Sequence, residues 1–453
     1  MEKRSKFSGR LGFVLAAAGS AVGLGNIWRF PYLAAKYGGG VFLLIYIILV
    51  VTFGFTIMVA EVALGRKTGK SPIGAFRSLN KKYTFIGVLS SLVAFLILPY
   101  YSVIGGWVVK YLVVFVTGGG AQTAGPAADS FFSNFIAQPV EPLFWLFLFL
   151  IAAFCVVLKG VKNGIEKASK VLMPILVVLS VIIAIYSMTL PGAGEGIKYF
   201  LIPDFSRFSG QTILAALGQM FYSMSLAMGI MITYGSYLKK EDDLEKSVGH
   251  IELFDTGIAI LAGLMIIPAV FSFSGGDPDA LNKGAGLMFV TLPKVFGSMP
   301  LGNIAGAVFF LLVLFAALTS AISLMEAVVS TVCDEFNMKR TKAVILVTVL
   351  AFVIAIPSSL GYGVWGDFKI FGLQILDQFD FLTNSVLMPI IALLTCIFVA
   401  YVIKTKTICQ EVKLSSPFHR EKLFVVIIRY LAPFFIVAIL VSSVLDGLGI
   451  VRI

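Results

Sequence analysis

The chain has 453 residues, of which 58% are hydrophobic and 13% charged, whereas a soluble domain has about 25% charged residues. This composition excludes a soluble enzyme, a nucleic-acid-binding domain and a disordered protein, because too few polar residues are present to cover a water-facing surface. At about 20 residues per spanning helix, the length allows roughly ten to twelve spans.

Eleven apolar runs are long enough to be membrane-spanning helices, which predicts an all-α polytopic membrane protein with about 11 transmembrane helices. No linker of low complexity divides the chain. The runs, with approximate ends, are 11–35, 41–64, 85–116, 142–158, 171–190, 211–237, 250–273, 303–332, 343–357, 371–403 and 423–445.

Basic residues are distributed unequally between the two sets of loops. Of the 35 Lys and Arg, 25 lie in segments that an inward-facing amino terminus would place in the cytoplasm, six lie in outer segments and four lie in or beside spans. Cytoplasmic loops carry an excess of Lys and Arg. We therefore expect the amino terminus in the cytoplasm, the carboxyl terminus outside and the chain in the cell inner membrane. The net charge of +11 then marks this face and not an acidic ligand.

Two of the spans contain segments that are poor helix formers. Gly19, Gly23 and Gly25 fall within seven residues of span 1, and each Gly costs about 1 kcal/mol relative to Ala in a helix. The segment from Gln219 to Gly229 interrupts span 6 with polar side chains. Close helix packing is one explanation of the glycines; an unwound, ligand-facing segment is the other.

Interrupted helices at corresponding places in two halves indicate an inverted repeat with a binding site between the halves. On this hypothesis the chain has four parts: a cytoplasmic segment 1–10, a first repeat 11–190 with helices 1–5, a second repeat 191–404 with helices 6–10, and 405–453 as an inner loop and helix 11.

Three strings of span 1 and its surroundings carry a family resemblance. They are Arg10-Leu11-Gly12, the run from Gly19 to Pro31 (GSAVGLGNIWRFP), and Gly38-Gly39-Gly40. Together they resemble the neurotransmitter:sodium symporter family over spans 1–10, and the eleven-span form is similar to its bacterial amino acid transporters. The resemblance implies a 5+5 inverted repeat with helices 1 and 6 unwound and one extra helix. Its implied function is sodium-coupled symport by alternating access.

The resemblance implies two co-transported Na⁺ ions and no organic cofactor. All of the implied ligands are oxygens, as a hard cation requires. Thr319 and Ser320 also have a plainer interpretation, as hydroxyls that bond their own helix backbone. The first sodium site would comprise Ala21, Asn26, Ser223 and Asp255, and the second Gly19, Val22, Ala316, Thr319 and Ser320.

Asp255 departs from the pattern of many family members, which have Asn at this position and bind chloride nearby. A fixed carboxylate balances the charge of sodium without an anion, and a bound cation explains how an acidic side chain is tolerated in a span. We therefore expect chloride-independent transport, with Tyr46, Gln219, Ser223 and Asp255 at the former chloride position.

The implied substrate is a neutral L-amino acid. Its carboxylate would meet the amides of Leu24 and Gly25 and the hydroxyl of Tyr101, since half-helix amino ends favour anions. Gly23, where monoamine carriers have Asp, favours a substrate with its own carboxylate. Met228 replaces a Phe of the leucine-carrying prototype and is adaptable, which favours hydrophobic or aromatic side chains. The substrate-binding residues would be Ser20, Ala21, Leu24, Gly25, Ile97, Tyr101, Tyr222, Ser223, Ser225, Met228, Ser320 and Leu324.

Gates follow from the same resemblance. Arg29 and Asp380 would form an outer ion pair above a lid made by Tyr101 and Tyr222. On the inside Arg4 would pair with Asp334.

Phe7 stands where the family usually has Trp, at the same inner gate. Gly164 and Pro174 match a family motif at which helix 5 unwinds, although a simple proline kink is the alternative. Glu61 and Glu326 are further acids within spans, either structural hydrogen-bond partners or proton carriers.

Three other functions are alternatives to symport. An intramembrane enzyme lacks a metal-ligand motif or a nucleophile–base pair; a channel would show a repeated pore-lining motif. An amino acid sensor or other membrane binding protein without net transport is the remaining alternative. The expected partners are the amino acid and the lipid bilayer, with no nucleic acid, and the oligomeric state stays open.

Overall fold

The protein is described by a computed structural model over residues 5–123, 127–275, 285–299, 301–370 and 372–447. Within these ranges the secondary structure is helical, with two isolated β-bridges and no strand. Nine helices of the described residues are long and apolar enough to cross a membrane, and a tenth span is a pair of helices bent by 52°.

The prediction of an all-α polytopic membrane protein is confirmed. A further pair of short helices, Gly210–Ser223 and Ile230–Tyr237, lies between spans 5 and 7 and is numbered below as span 6. In chain order the spans, numbered 1 to 11 below, are Arg10–Ala21 with Gly25–Lys36, Gly40–Thr68, Lys81–Val116, Glu141–Leu158, Val161–Met188, Gly210–Ser223 with Ile230–Tyr237, Leu244–Ser274, Gly302–Phe336, Arg340–Leu360, Ile375–Val402 and Glu421–Gly447. The division of the chain into two repeats stays a prediction.

Spans 1 and 6 are the broken ones, as the glycines and the polar run predict. In span 1 the helix ends at Ala21, and Val22 is extended, with ψ 95°. In span 6 residues 224–229 form a linker between two short helices. Ser225 and Ala227 of this linker have φ of 53° and 63°, in the left-handed region that non-glycine residues seldom adopt.

The second half of span 6 lies directly against span 2, backbone to backbone. A Cβ on Gly65 would collide with the carbonyl of Ile232, and one on Gly235 would collide with the backbone of Val62. Small residues permit this close approach of helices within a membrane. The linker is therefore held between two well-packed half-helices, and its position is fixed by span 2.

One boundary differs clearly from the expected run. Span 5 begins at Val161, not near 171, because the polar stretch Val161–Glu166 is helical. Glu166 is buried there and accepts a hydrogen bond of 2.8 Å from the backbone N–H of Ser8. The contact with the segment before span 1 explains why residues of low hydropathy belong to a helix at this point.

Candidate functional site

A cavity lies where the breaks of spans 1 and 6 meet spans 3 and 8. Each of the twelve residues predicted to bind a substrate lines it, together with Gly23 and Ile230. None of these fourteen residues carries a charge.

One end of the cavity is polar and belongs to the break of span 1. The backbone N–H of Leu24 donates to the hydroxyl of Tyr101 at 3.4 Å. Gly23 leaves room there for two hydroxyls, because a Cβ at this position would lie 2.7 Å from Ser320 Oγ and 3.1 Å from the Tyr101 hydroxyl. The helix Gly25–Lys36 begins at this end and presents its positive dipole end to the cavity.

Three serines form a second polar patch on the same cavity. Ser225 Oγ donates to the carbonyl of Ser20 at 3.0 Å and lies 3.1 Å from Ser20 Oγ. Ser320 Oγ lies 3.1 Å from the carbonyl of Ser20 and 3.4 Å from that of Gly19. These contacts connect spans 1, 6 and 8 through the carbonyls that the break exposes.

Asp255 is fully buried and lies beside the break of span 1. Its carboxylate accepts hydrogen bonds from Asn26 Nδ2 at 2.8 Å, from the Tyr46 hydroxyl at 2.9 Å and from Ser223 Oγ at 3.2 Å. The neighbouring Gln219 donates to the carbonyl of Gly25 at 2.9 Å. Spans 1, 2, 6 and 7 thus converge on one carboxylate that neutral groups surround.

Thr319 lies on span 8 at the other side of the break. Its hydroxyl donates to the carbonyls of Phe315 at 3.0 Å and Ala316 at 3.1 Å. Thr319 thus bonds its own helix backbone, as its plainer interpretation predicts. A hydroxyl that donates its hydrogen keeps two lone pairs, so this bond leaves Thr319 able to ligate a cation. Gly19 lies next to it: a Cβ on Gly19 would be 3.2 Å from Thr319 Cβ.

Glu61 and Glu326, the two further acids that the sequence analysis places within spans, have protein partners. Glu61 Oε1 accepts the N–H of Ala227 in the span 6 linker at 2.8 Å, while its buried Oε2 has no hydrogen-bond partner. Glu326 accepts from Tyr237 at 2.7 Å and pairs with Arg340 at 2.5 Å. Both contacts agree with a role as structural hydrogen-bond partners, and neither tests whether these acids carry protons.

Arg29, of the predicted outer gate, lies against Tyr222, which lines the cavity. The guanidinium of Arg29 is 5.1 Å from the ring centre of Tyr222, within cation–π range. Asp380 accepts hydrogen bonds from Tyr100 at 3.2 Å and from Asn384 at 2.6 Å. The direct ion pair between Arg29 and Asp380 stays a prediction.

Phe7, of the predicted inner gate, is buried, with edge contacts to Phe13, Tyr234 and Tyr237. Asp334 accepts the N–H of Ser71 at 2.8 Å. Arg4, its predicted partner, lies outside the described residues. In span 5, Gly164 belongs to the π-helical turn Val161–Glu166 and Pro174 lies inside the helix that follows.

The family model of the sodium:neurotransmitter symporters matches residues 4–121 and 132–448. The chain belongs to the sodium:neurotransmitter symporter family. It is 37% identical to a sodium-dependent transporter of Bacillus subtilis (strain 168), YhdH, over 99% of both chains. It is 25% identical to the human sodium- and chloride-dependent taurine transporter, over 88% of this chain and 72% of that one.

Among solved structures it is similar to MhsT in complex with L-phenylalanine, with a TM-score of 0.88 and 41% identity over 97% of this chain and 100% of that one. The symporter is therefore a multi-pass membrane protein that depends on sodium, and its relatives are transporters and not enzymes. The described residues contain no cluster of three or more His, Cys, Asp or Glu that suits a metal ion.

The sequence does not predict a role in the site for three residues at or near it, Ile230, Glu61 and Met173. Ile230 lines the cavity and directly follows Gly229, so the end of the polar interruption was the available signal. Glu61 is an acid within a span, which is unusual, but the sequence predicts no partner for it. Met173 packs against Gly19, and nothing in its apolar surroundings distinguishes it from an ordinary core residue.

Proposed function

We propose that the symporter carries neutral L-amino acids with hydrophobic or aromatic side chains, coupled to two sodium ions and independent of chloride. The observation that carries this proposal is the cavity at the meeting of two broken helices, lined by uncharged residues. An alternating-access carrier requires such a site between its two halves.

The substrate carboxylate would lie at the break of span 1. The amides of Leu24 and Gly25 begin a helix that ends at Lys36, and such amino ends bind anions. The Tyr101 hydroxyl, already 3.4 Å from the Leu24 nitrogen, would be its second donor. The substrate ammonium would meet the carbonyls of Ala21, Tyr222 and Ser225, which lie at or beside the two breaks.

The substrate side chain would occupy the apolar part of the cavity. Ile97, Met228, Ile230 and Leu324 line it, and no acidic or basic residue does, which disfavours charged substrates because a buried unpaired charge is costly. Met is unbranched and adapts its shape. MhsT, at 41% identity, is described with L-phenylalanine, which supports an aromatic substrate for this chain.

The first sodium would lie between Asp255 and the break of span 1. Asp255 brings a full negative charge, and Ser223, Asn26 and the Ala21 carbonyl supply the other oxygens. Asn26 Oδ1 accepts only a 3.3 Å bond, from the Gly23 N–H, so this oxygen has capacity left for a cation.

The second sodium would lie between the carbonyls of Gly19, Val22 and Ala316 and the hydroxyls of Thr319 and Ser320. Support comes from Ser320 Oγ, which is 3.4 Å from the Gly19 carbonyl. Spans 1 and 8 would thus share this ion, and its loss would release one from the other.

Chloride independence rests on Asp255. Its carboxylate already accepts hydrogen bonds from Tyr46 and Ser223, the groups that would otherwise hold an anion. A chloride next to a buried carboxylate would be repelled, because like charges interact strongly in a low dielectric. The human relative named as chloride-dependent is only 25% identical to the symporter, so its ion requirement does not transfer.

The gates and the placement in the membrane complete the proposal. Arg29 and Asp380 would close the outer path over Tyr222, and Phe7, Arg4 and Asp334 the inner one. Gly164 and Pro174 would let the start of span 5 unwind. The amino terminus would lie in the cytoplasm and the carboxyl terminus outside, in the cell inner membrane, which the excess of Lys and Arg in the inner segments supports.

The test is uptake into proteoliposomes that contain the purified full-length protein. A panel of labelled amino acids is offered with an inward sodium gradient, with potassium in place of sodium, and with gluconate in place of chloride. Uptake of phenylalanine, tryptophan or tyrosine that requires sodium and survives gluconate is expected. Loss of uptake in gluconate would refute chloride independence, and failure of aromatic amino acids to displace leucine or alanine would refute the substrate class. Sodium-dependent binding without uptake would favour a sensor.

A further inference from the structure

Arg429 is a basic residue within span 11 that lacks a partner in the described part of the chain. Other basic residues in or beside the spans have one: Lys110 pairs with Glu141 at 2.5 Å, and the guanidinium of Arg29 lies over the ring of Tyr222. Among the described residues, the guanidinium of Arg429 forms no hydrogen bond, ion pair or ring contact, although its Nε is buried. A charged side chain within a span is costly and usually has a partner or a function, which directs the search to a ligand outside the protein.

The side chain of Arg429 is half-buried where spans 10 and 11 meet. Its turn, Ile427–Leu431, contacts the turn Phe398–Val402 of span 10. The Tyr401 hydroxyl donates to the Arg429 carbonyl at 2.7 Å and so ties the two turns together. Tyr401 and Tyr430 are 56% and 61% exposed. On a spanning helix such side chains face lipid, and tyrosines concentrate where the acyl chains meet the headgroups.

The direction of span 11 determines where the guanidinium points. The span begins at Glu421, so Arg429 lies eight positions, or about 12 Å, along the helix from the preceding loop. Side chains of a helix lean toward its amino end, and the long stem of Arg carries its charge toward the membrane interface. The guanidinium is therefore directed back toward the headgroups beside that loop. Lys422 is exposed on the same face two turns earlier and adds a second positive charge there.

We propose that Arg429 binds the phosphate of an anionic phospholipid between spans 10 and 11, in the leaflet beside the loop 404–422. A guanidinium presents a planar fork of N–H donors that fits two phosphate oxygens, and basic pockets between transmembrane helices bind anionic headgroups. A zwitterionic lipid fits less well, because its own cation would lie near Lys422. The inference goes beyond the proposed function: it needs neither the substrate nor the sodium sites, and the proposed orientation serves only to identify the leaflet as the inner one.

Lipid binding to the purified, delipidated full-length protein tests this assignment. The protein in detergent is titrated with dioleoyl phosphatidylglycerol or dioleoyl phosphatidylcholine, and the lipid-bound species are quantified by native mass spectrometry. The wild type is expected to bind phosphatidylglycerol more tightly than phosphatidylcholine. Arg429→Gln is expected to raise the dissociation constant for phosphatidylglycerol about tenfold, which corresponds to about 1.4 kcal/mol. Inorganic phosphate in excess should not displace the lipid, because the acyl chains also bind between the spans.

Lys342→Gln is the matched control, since it removes one exposed positive charge at the start of span 9, and it is expected to bind lipid as the wild type does. If Arg429→Gln does not fold, Arg429→Lys replaces it; this variant keeps the charge but loses the fork, so a smaller loss of affinity is expected. Equal dissociation constants for the position 429 and position 342 variants would overturn the inference. Equal binding of the two lipids, or displacement by inorganic phosphate, would also overturn it.

Discussion

Replacement of Gly23 by alanine is the most direct probe of the proposed carboxylate end of the cavity. The new methyl carbon would lie 2.7 Å from Ser320 Oγ and 3.1 Å from the Tyr101 hydroxyl, well inside the optimal separation of about 3.5–4.0 Å for non-bonded heavy atoms. Both hydroxyls must therefore shift. Ser320 would give up its 3.1 Å contact with the Ser20 carbonyl, and Tyr101 its contact with the Leu24 amide.

The magnitude follows from what the substrate loses. A hydrogen bond to a charged group contributes about 1.5–3 kcal/mol, which corresponds to a dissociation constant about 10- to 150-fold higher. We expect Gly23→Ala to weaken phenylalanine binding by this factor at saturating sodium. Because Ser320 is also a proposed sodium ligand, the sodium concentration for half-maximal binding should rise as well.

Binding is measured with labelled phenylalanine on purified protein, next to a thermal melt. Gly218→Ala is the matched control within the membrane, since no heavy atom lies within 4 Å of the Cβ it adds. This control should bind as the wild type, and both variants should melt normally. A Gly23→Ala protein with wild-type affinity for phenylalanine would refute the reasoning about this end of the cavity.

Substitutions at three further residues address the carboxylates and the pocket. Asp255→Asn removes the charge beside the first sodium, so uptake in gluconate medium should fall about tenfold, equivalent to about 1.4 kcal/mol, and chloride should restore part of it; equal liposome uptake in both media would contradict this. Glu61→Leu leaves the Ala227 N–H unsatisfied, at a cost of about 1–3 kcal/mol, whereas Glu61→Gln keeps an acceptor; the thermal melts should rank the Leu variant lowest. Met228→Phe should overfill the cavity at a cost of about 1–3 kcal/mol for large ligands, so competition should show weaker tryptophan binding and unchanged alanine binding.

The spans and the cavity were accessible to sequence reasoning because their signals are local. Apolar runs of spanning length identify the helices, and Gly19, Gly23 and Gly25 mark the break of span 1 within seven residues. The family resemblance that the motif around that break carries predicts the other cavity residues. The twelve predicted residues line one cavity. Whether they bind substrate and sodium is a separate matter, which the uptake and binding experiments address.

The start of span 5 and the packing of Met173 against Gly19 were not accessible in this way. Lys162, Asn163 and Gly164 have low hydropathy, so a hydropathy pattern begins the helix too late, whereas the structure shows a turn anchored by Glu166 to Ser8. Met173 is one apolar residue among many in its span. Both features depend on contacts between residues more than 150 positions apart, which a single sequence does not display.

The two breaks differ in how the sequence encodes them. Span 1 breaks where glycines make a continuous helix unfavourable. Span 6 places Ser225 and Ala227 in the left-handed region, where an L-residue other than Gly loses roughly 1–2 kcal/mol. The Glu61 carboxylate, 166 positions away in the chain, accepts the Ala227 N–H and offsets part of that cost. The break of span 6 is thus stabilised by a distant side chain on span 2, so a change at Glu61 should alter the substrate cavity although Glu61 does not line it.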